Sequence, residues 1–480
     1  MSPIGVAIIL FVGVTMWVGI RTWAKIKGQA TNYYVAGNAM GVSVIGITLC
    51  AQAFDANGSM GNASLAHGGG FWAGAAIPIG LALCLFFTGA VFAEPIHRMR
   101  LLTLADFYRR RYSQNTETLA ALNMLVGNIV LVAGNLAGLG LLLDLVFGVG
   151  YLPMLVVIAL CILTYAVTGG LYATITTSVL QVGMFILSTL ISFAWLTGTF
   201  GWSTLMANVP ASFTDLSGLM NREQGSLVTW ASLVSLALGD VVAIDFIQRV
   251  IAADSARTAK RGCYIAGVIT LVIGLMVTFI GLAAFHFGTP ESRFLLVEVA
   301  LNEMPMIIGG LILLGVIAAS MSTAAGVVLD LANVLTRNVI QGHSSRTWDD
   351  AELLRVSRWI ALPTMAASVL FAYLRPDPGV LLILAFDIVL ASCFVPLVLG
   401  LFWRKSNTPA ALAAIVGGAT ARLILHFAIP EAWAGMETLI PPLVSLALFV
   451  IVAQATQGTS APKHDALTHV PTEEELVRGV

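Results

Sequence analysis

The chain has 480 residues, of which 58% are hydrophobic and 10% charged, against about 25% charged in an average soluble domain. With a mean hydropathy of +0.90, a soluble fold of this length could not bury its apolar surface, so most of the chain needs lipid as its solvent. A net charge of −1 gives no footing for nucleic acid, and the seven histidines form no metalloenzyme spacing, which makes a membrane enzyme a poor fit.

Apolar runs of about 17–25 residues predict an all-α polytopic membrane protein with about thirteen spans. In chain order they cover 3–20, 40–62, 71–92, 119–147, 152–168, 179–198, 226–248, 264–287, 304–335, 359–374, 379–401, 410–429 and 436–455. The opening MSPIG lacks the basic stretch of a cleaved signal peptide, so the first run is expected to stay as a span. Cys50, Cys84, Cys161, Cys263 and Cys393 lie in or beside apolar runs at no metal-ligand or disulfide spacing.

Charge placement orients this count. With the N-terminus outside, the cytoplasmic loops receive Arg21, Lys25, Lys27, Arg98, Arg100 and Arg109–Arg111, then Arg249, Arg257, Lys260, Arg261, Arg337, Arg346, Arg355, Arg358, Arg404 and Lys405. The opposite side holds Arg222, Arg293 and Arg375, while Lys463 and Arg478 lie on the C-terminal tail. Positive charge on the cytoplasmic side therefore predicts N-out and C-in topology in the plasma membrane, the inner membrane of a bacterium. One membrane domain is expected over 1–455, followed by a short polar cytoplasmic tail at 456–480.

Two spans are interrupted by glycine together with aspartate. The second reads AQAFDANGSMGN, with Asp55, Asn57, Gly58 and Gly61; the seventh reads ALGDVVAIDFIQR, with Gly239, Asp240 and Asp245. They stand five spans apart, as expected for two inverted five-helix repeats at about 40–198 and 226–401. Paired broken helices point to a transport site, because unwound backbone and helix ends coordinate ions and polar groups at the midplane. Glycine is also common wherever membrane helices pack closely.

Four segments, in order, resemble the sodium/solute symporter family. They are LLTLADFYRRRY (101–112), TGGLYATITTSVLQ (168–181), DFIQRVIAADSARTAKRG (245–262) and AASMSTAAGVVLDLANVLTRN (318–338). The likeness covers spans 2–12. Within the family, the second span resembles the bacterial proline symporters, and segments 71–100 and 410–425 resemble the choline transporter branch. The resemblance implies a LeuT-like, five-plus-five inverted-repeat core that carries a small organic solute by sodium-coupled alternating access.

Ala319, Ser322 and Thr323 stand at i, i+3 and i+4, on one helix face. Their hydroxyls and a carbonyl are neutral oxygens of the kind that replace the hydration shell of sodium. The alternative is that these hydroxyls bond back to the preceding turn. By resemblance, the carbonyls of Ala53 and Ala56 complete the ion site. In relatives with a second sodium, a sixth-span carboxylate and two further serines contribute; this chain has Ser178, Ala325 and Gly326 there, so one sodium is expected. The aromatic cage of the choline branch falls on Phe54 and Ala243, which dismantles it and argues against choline.

Asp55, Asp240 and Asp245 lie at apolar depth, where each acid costs about 2.5–3.5 kcal/mol. Asp240 and Asp245 diverge by about 140° on an unbroken helix, so only one is expected to face the solute, and Asp245 has an alternative partner in Arg249. Asp55 and Asp240 could ligate sodium, bond freed backbone amides, or face an ammonium. The last option makes the solute an amine or amino acid, bound among Phe54, Asp55, Asn57, Gly58, Asp240 and Ala243. A solute-sensing domain of the same fold and a monocarboxylate carrier are the alternatives, and the oligomeric state is not legible. His67 is expected in an exposed outer loop, Arg109–Arg111 as topology determinants, and Arg422, with His426 one turn on, as snorkelling to the interface.

Overall fold

The structure, a computed structural model, describes residues 2–222, 225–292, 294–346 and 348–457. Arg293 and nearly all of the tail, with Lys463 and Arg478, lie outside the described residues. Among these residues the chain is helical, with one isolated bridge between Met40 and Ala253 and no strands.

Among the described residues ten helices are long and apolar enough to cross a membrane, or eleven if one bent pair is a single span. In chain order the elements used below are α1 (Pro3–Lys25), α2 (Val42–Ala53), α3 (Asn62–Gly69), α4 (Phe71–Arg98), α5 (Gln114–Phe147), α6 (Tyr151–Phe200) and α7 (Ser226–Val242). They continue as α8 (Ile244–Ala252), α9 (Ala256–Phe287), α10 (Met306–His343), α11 (Asp350–Leu374), α12 (Pro378–Phe402), α13 (Thr408–Ala428) and α14 (Met436–Ala455). The predicted second span is α2 and α3, separated by a break. The predicted seventh is α7 and α8, bent by 48°.

The predicted fifth and sixth spans follow one another within α6 without an intervening loop. Gly170 alone departs from helical geometry, at φ 56 and ψ −153. Only glycine takes that geometry cheaply, and the Tyr33 ring fills the space where a Cβ would stand, 2.5 Å from Cδ2.

Burial separates centre from periphery. In α10, 89% of the most apolar window is buried, against 22% in α1, 33% in α11 and α13, and 28% in α14. α10 is therefore the axis of the bundle, and its serines and threonines meet protein on all sides. Small residues let backbones approach closely: a Cβ on Gly61 would lie 2.7 Å from the Cα of Gly379, so the far end of the second span meets the start of α12 backbone to backbone. Beside that contact, Ser64, Glu291, Ser292 and Asp377 line a cleft of about 370 Å³.

Two expectations about single residues are corrected. His67 is a buried residue of α3, its Nε2 3.0 Å from the Thr289 carbonyl and its ring 4.1 Å from that of Phe285. Arg422 does not snorkel: it is buried, and Nη2 donates to Asp387 Oδ2 at 3.2 Å, an oxygen that also accepts from Thr438 at 2.7 Å. Within the arginine triplet, Arg111 is buried and donates to the carbonyls of Gly400 and Trp403, while Arg109 lies 3.7 Å from Glu117.

Candidate functional site

The first break follows directly from its residues. α2 ends at Ala53, and Phe54 is extended at φ −109, ψ 104. The Asp55 side chain then caps the chain that resumes, Oδ1 accepting from the Gly58 amide at 2.6 Å. Its Oδ2 accepts from Asn57 at 3.1 Å and from Asn135 of α5 at 2.5 Å. Asn135 also accepts from the Ala56 amide at 3.3 Å, so one amide holds both sides of the break. Gly58 has no room for a side chain, since a Cβ would stand 2.8 Å from the Ala53 carbonyl oxygen. An aspartate satisfying orphan amides at a helix start is an N-cap, and here three donors occupy it. Phe54 lays its ring 5.1 Å from that of Phe185.

In the second break Ala243 is extended at φ −67, ψ 126. Asp240 is fully buried, and among the described residues neither carboxylate oxygen accepts from an amide, a hydroxyl or a cation. Its electrostatic neighbours are the carboxylates of Asp245 and Asp55 and the weakly donating thiol of Cys84. Asp245 has company: the Gln52 amide, with its nitrogen toward Asp245, donates to Oδ2 at 2.9 Å and accepts from Arg249 Nη2 at 2.9 Å. Arg249 is wholly buried, donates to the Asp245 carbonyl at 2.5 Å, and pairs with Asp330 of α10 at 3.4 Å.

On α10, Thr323 donates to the Ala51 carbonyl of α2 at 3.0 Å and lies 3.4 Å from that of Ala319. The Ser322 hydroxyl lies 2.5 Å from that of Ser178 on α6. Ser178 therefore brings a neutral oxygen to the same place, without the charge of the carboxylate expected there in relatives with a second sodium. One turn on, a side chain at Gly326 would run into Arg249 Nη2. The guanidinium stands where relatives of this chain were expected to place a serine.

The basic end of the bundle is tied by polar bonds. Arg337 Nε donates to both oxygens of Asp106, at 2.8 and 3.0 Å, and Asn338 bridges Asp106 and Glu117 at 2.8 and 2.7 Å. Burial pushes the Asp106 carboxyl up, but the Arg337 guanidinium offsets this and holds it below the usual carboxylate range. Gln248 donates to the carbonyls of Tyr34 and Leu102 at 2.6 and 2.8 Å, and His97 Nε2 lies 2.8 Å from the Ala253 carbonyl.

Gln52, Asn135 and Asp330 were not singled out from the sequence. Asp330 carried a signal, because it lies seven residues after Thr323 and so on the same helix face. Asn135 carried none, since its partner is 80 positions away.

The family model described as sodium:solute symporter family matches residues 33–418. The chain belongs to this family. Among known proteins, the sodium/glucose cotransporter of Vibrio parahaemolyticus is 23% identical over 95% of this chain and 90% of its own. The human high affinity choline transporter 1 is 25% identical over 87% and 74%. A solved structure described as the substrate-bound outward-open state of a Na+-coupled sialic acid symporter superposes with a TM-score of 0.79. It is 17% identical and covers 96% of this chain and 98% of that one. The shared fold is the LeuT-like one. This sodium:solute symporter is a multi-pass membrane transporter and not an enzyme, and Na+ is its coupling ion.

Proposed function

We propose that this symporter carries a small solute bearing a cationic amine, an amine or a zwitterionic amino acid, with one sodium ion per cycle. The observation that carries this reading is Asp240, a buried acid at a helix break that has no cationic or amide partner among the described residues, its one polar neighbour besides two carboxylates being the weakly donating Cys84 thiol. A charge left unpaired at membrane depth is costly unless a ligand completes it. Asp55 has three donors already, so its role is to hold the break open together with Asn57 and Gly58. Phe54 and Ala243, the extended residues of the two breaks, then flank the solute. The sodium site is formed by the carbonyls of Ala53, Ala56 and Ala319 and the hydroxyls of Ser322 and Thr323, with Ser178 against Ser322. The Arg249 guanidinium beside Gly326 supplies a fixed positive charge, which disfavours a second sodium.

We take the break between α2 and α3, the bend between α7 and α8 and the interruption at Gly170 as the features that complete thirteen spans, with inverted repeats at about 40–198 and 226–401. The N-terminus is then outside and the C-terminus inside the bacterial plasma membrane. The test is counterflow in proteoliposomes preloaded with candidate solutes. Amines or amino acids should show sodium-dependent exchange that Asp240→Asn abolishes. Exchange of an uncharged sugar or a monocarboxylate that survives Asp240→Asn would overturn the assignment, and an absence of trans-stimulation by any solute would favour a sensor.

A further inference from the structure

Between the peripheral helices α1 and α11 and the outer side of α6 lies a groove of about 1000 Å³ at the basic end of the bundle. Its cationic lining comes from Lys27, Arg355 and Arg358, with Thr164 and Thr168 on the α6 wall. Lys27 and Gly28 follow α1 in a left-handed turn, at φ 51 and 70, which carries the lysine to the groove wall. Arg355, Arg358 and Trp359 stand at i, i+3 and i+4 and so share one face of α11. Among the described residues none of the three cations forms an ion pair. The nearby acids are engaged elsewhere, Asp350 by the Ala30 amide and Glu352 by Arg346. The Arg358 guanidinium lies 5.7 Å from the Tyr33 ring, and its buried Nε has no hydrogen-bond partner among the described residues.

A second groove, of about 530 Å³, is lined by apolar residues such as Val156, Val369 and Tyr373. It shares Leu160, Leu163 and Leu362 with the first. The two therefore form one channel along α6 and α11, cationic at one end and apolar along the other. From Arg358 to Tyr373 the helix rises about 22 Å, longer than the half of a ~30 Å hydrocarbon core that one acyl chain occupies. Trp23 and Trp359 flank the cationic end and are 63% and 67% exposed, as aromatic side chains are at headgroup depth.

We propose that this channel is a binding site for an anionic phospholipid of the cytoplasmic leaflet. Its phosphate sits among Lys27, Arg355 and Arg358, and one acyl chain lies between α6 and α11. The charge selects an anionic headgroup, and the continuous apolar groove selects a lipid over a free anion. Each cation near such a headgroup is worth about fivefold in affinity. The site touches none of the residues assigned to sodium or solute and does not depend on what the solute is.

The test measures thermal unfolding of the purified protein in a neutral detergent with added dioleoyl-phosphatidylglycerol. Dioleoyl-phosphatidylcholine and inorganic phosphate serve as separate arms. Phosphatidylglycerol should raise Tm by mass action, and the other two should not. The triple variant Lys27→Gln, Arg355→Gln, Arg358→Gln should lose the shift, and Ala366→Trp, on the exposed wall of the apolar groove, should weaken it. Equal shifts from phosphatidylcholine, or from phosphate alone, would overturn the proposal, as would a triple variant that keeps the full shift. Should the triple variant not fold, native mass spectrometry of the wild type decides: one anionic phospholipid retained per chain supports the site, and none retained refutes it.

Discussion

The hydroxyls of Ser178 and Ser322 lie 2.5 Å apart across the contact of α6 with α10. Next along α10, Thr323 reaches the Ala51 carbonyl of the broken second span. Three elements thus converge on neutral oxygens. Ser322→Ala with Thr323→Ala should leave the protein folded, at a cost of about 1 kcal/mol per lost hydrogen bond. Sodium stimulation of uptake, about 5–150-fold for a coupling of 1–3 kcal/mol, should fall to near one. Full sodium dependence in the double variant would remove these residues from the ion site.

The place next to Gly326 is taken by the Arg249 guanidinium. Gly326→Ser should therefore strain the packing by about 1–3 kcal/mol and gain no second ion. Reversal potentials in proteoliposomes should give one sodium per solute in the wild type, and a value of two would show another site at work.

The two aspartates at the breaks should behave differently. Asp240→Asn should abolish uptake but preserve thermal stabilisation by sodium, because Asp240 makes no hydrogen bond that holds the fold. Asp55→Asn turns one of the two acceptors into a donor, set either against the Gly58 amide or against Asn57 and Asn135, and should cost about 1–3 kcal/mol together with sodium binding. Identical phenotypes in the uptake and thermal-shift assays would contradict this division of roles.

Asp106→Asn should destabilise the protein by about 3–5 kcal/mol, because it strands the buried Arg337. The folded Asp106 carboxyl lies below its ordinary value of about 3.9. Its contribution is therefore complete above about pH 4 and disappears as pH falls through the lower folded value. Thermal unfolding between about pH 2 and 6 should show this acid-side loss in the wild type and a smaller one in the variant.

Arg422→Ala should cost about 3–5 kcal/mol by leaving Asp387 buried alone, and Arg422→Met with Asp387→Leu should recover most of it. Equal melting temperatures for Arg422→Ala and wild type would contradict that role for the pair.

Spans and breaks were legible because each is written in contiguous residues: apolar length for the helices, glycine beside aspartate for the two interruptions. Partners were not legible. Arg422 reads as an interface residue until α12 places Asp387 against it from 35 positions away. His67 reads as an outer loop residue until the break lets α3 continue past it. Arg249 and Asp330 were both visible in motifs, but their pairing through a crossing of α8 and α10 is a property of the fold. Within α6 the boundary between the predicted fifth and sixth spans is marked by one non-helical glycine, Gly170, without the polar loop that marks other span ends.

The two ends of the bundle are shut by different means. At the basic end, closure is bolted by Arg337 on Asp106, Gln248 on two carbonyls and His97 on a third, and each bolt must be drawn and its groups hydrated before that side opens. At the far end, Gly61 and Gly379 simply rest against each other. Two backbones without side chains can part with no rotamer to change and no ion pair to desolvate. Such a door should yield first on the side where it has no lock, the end away from Arg337 and Asp106.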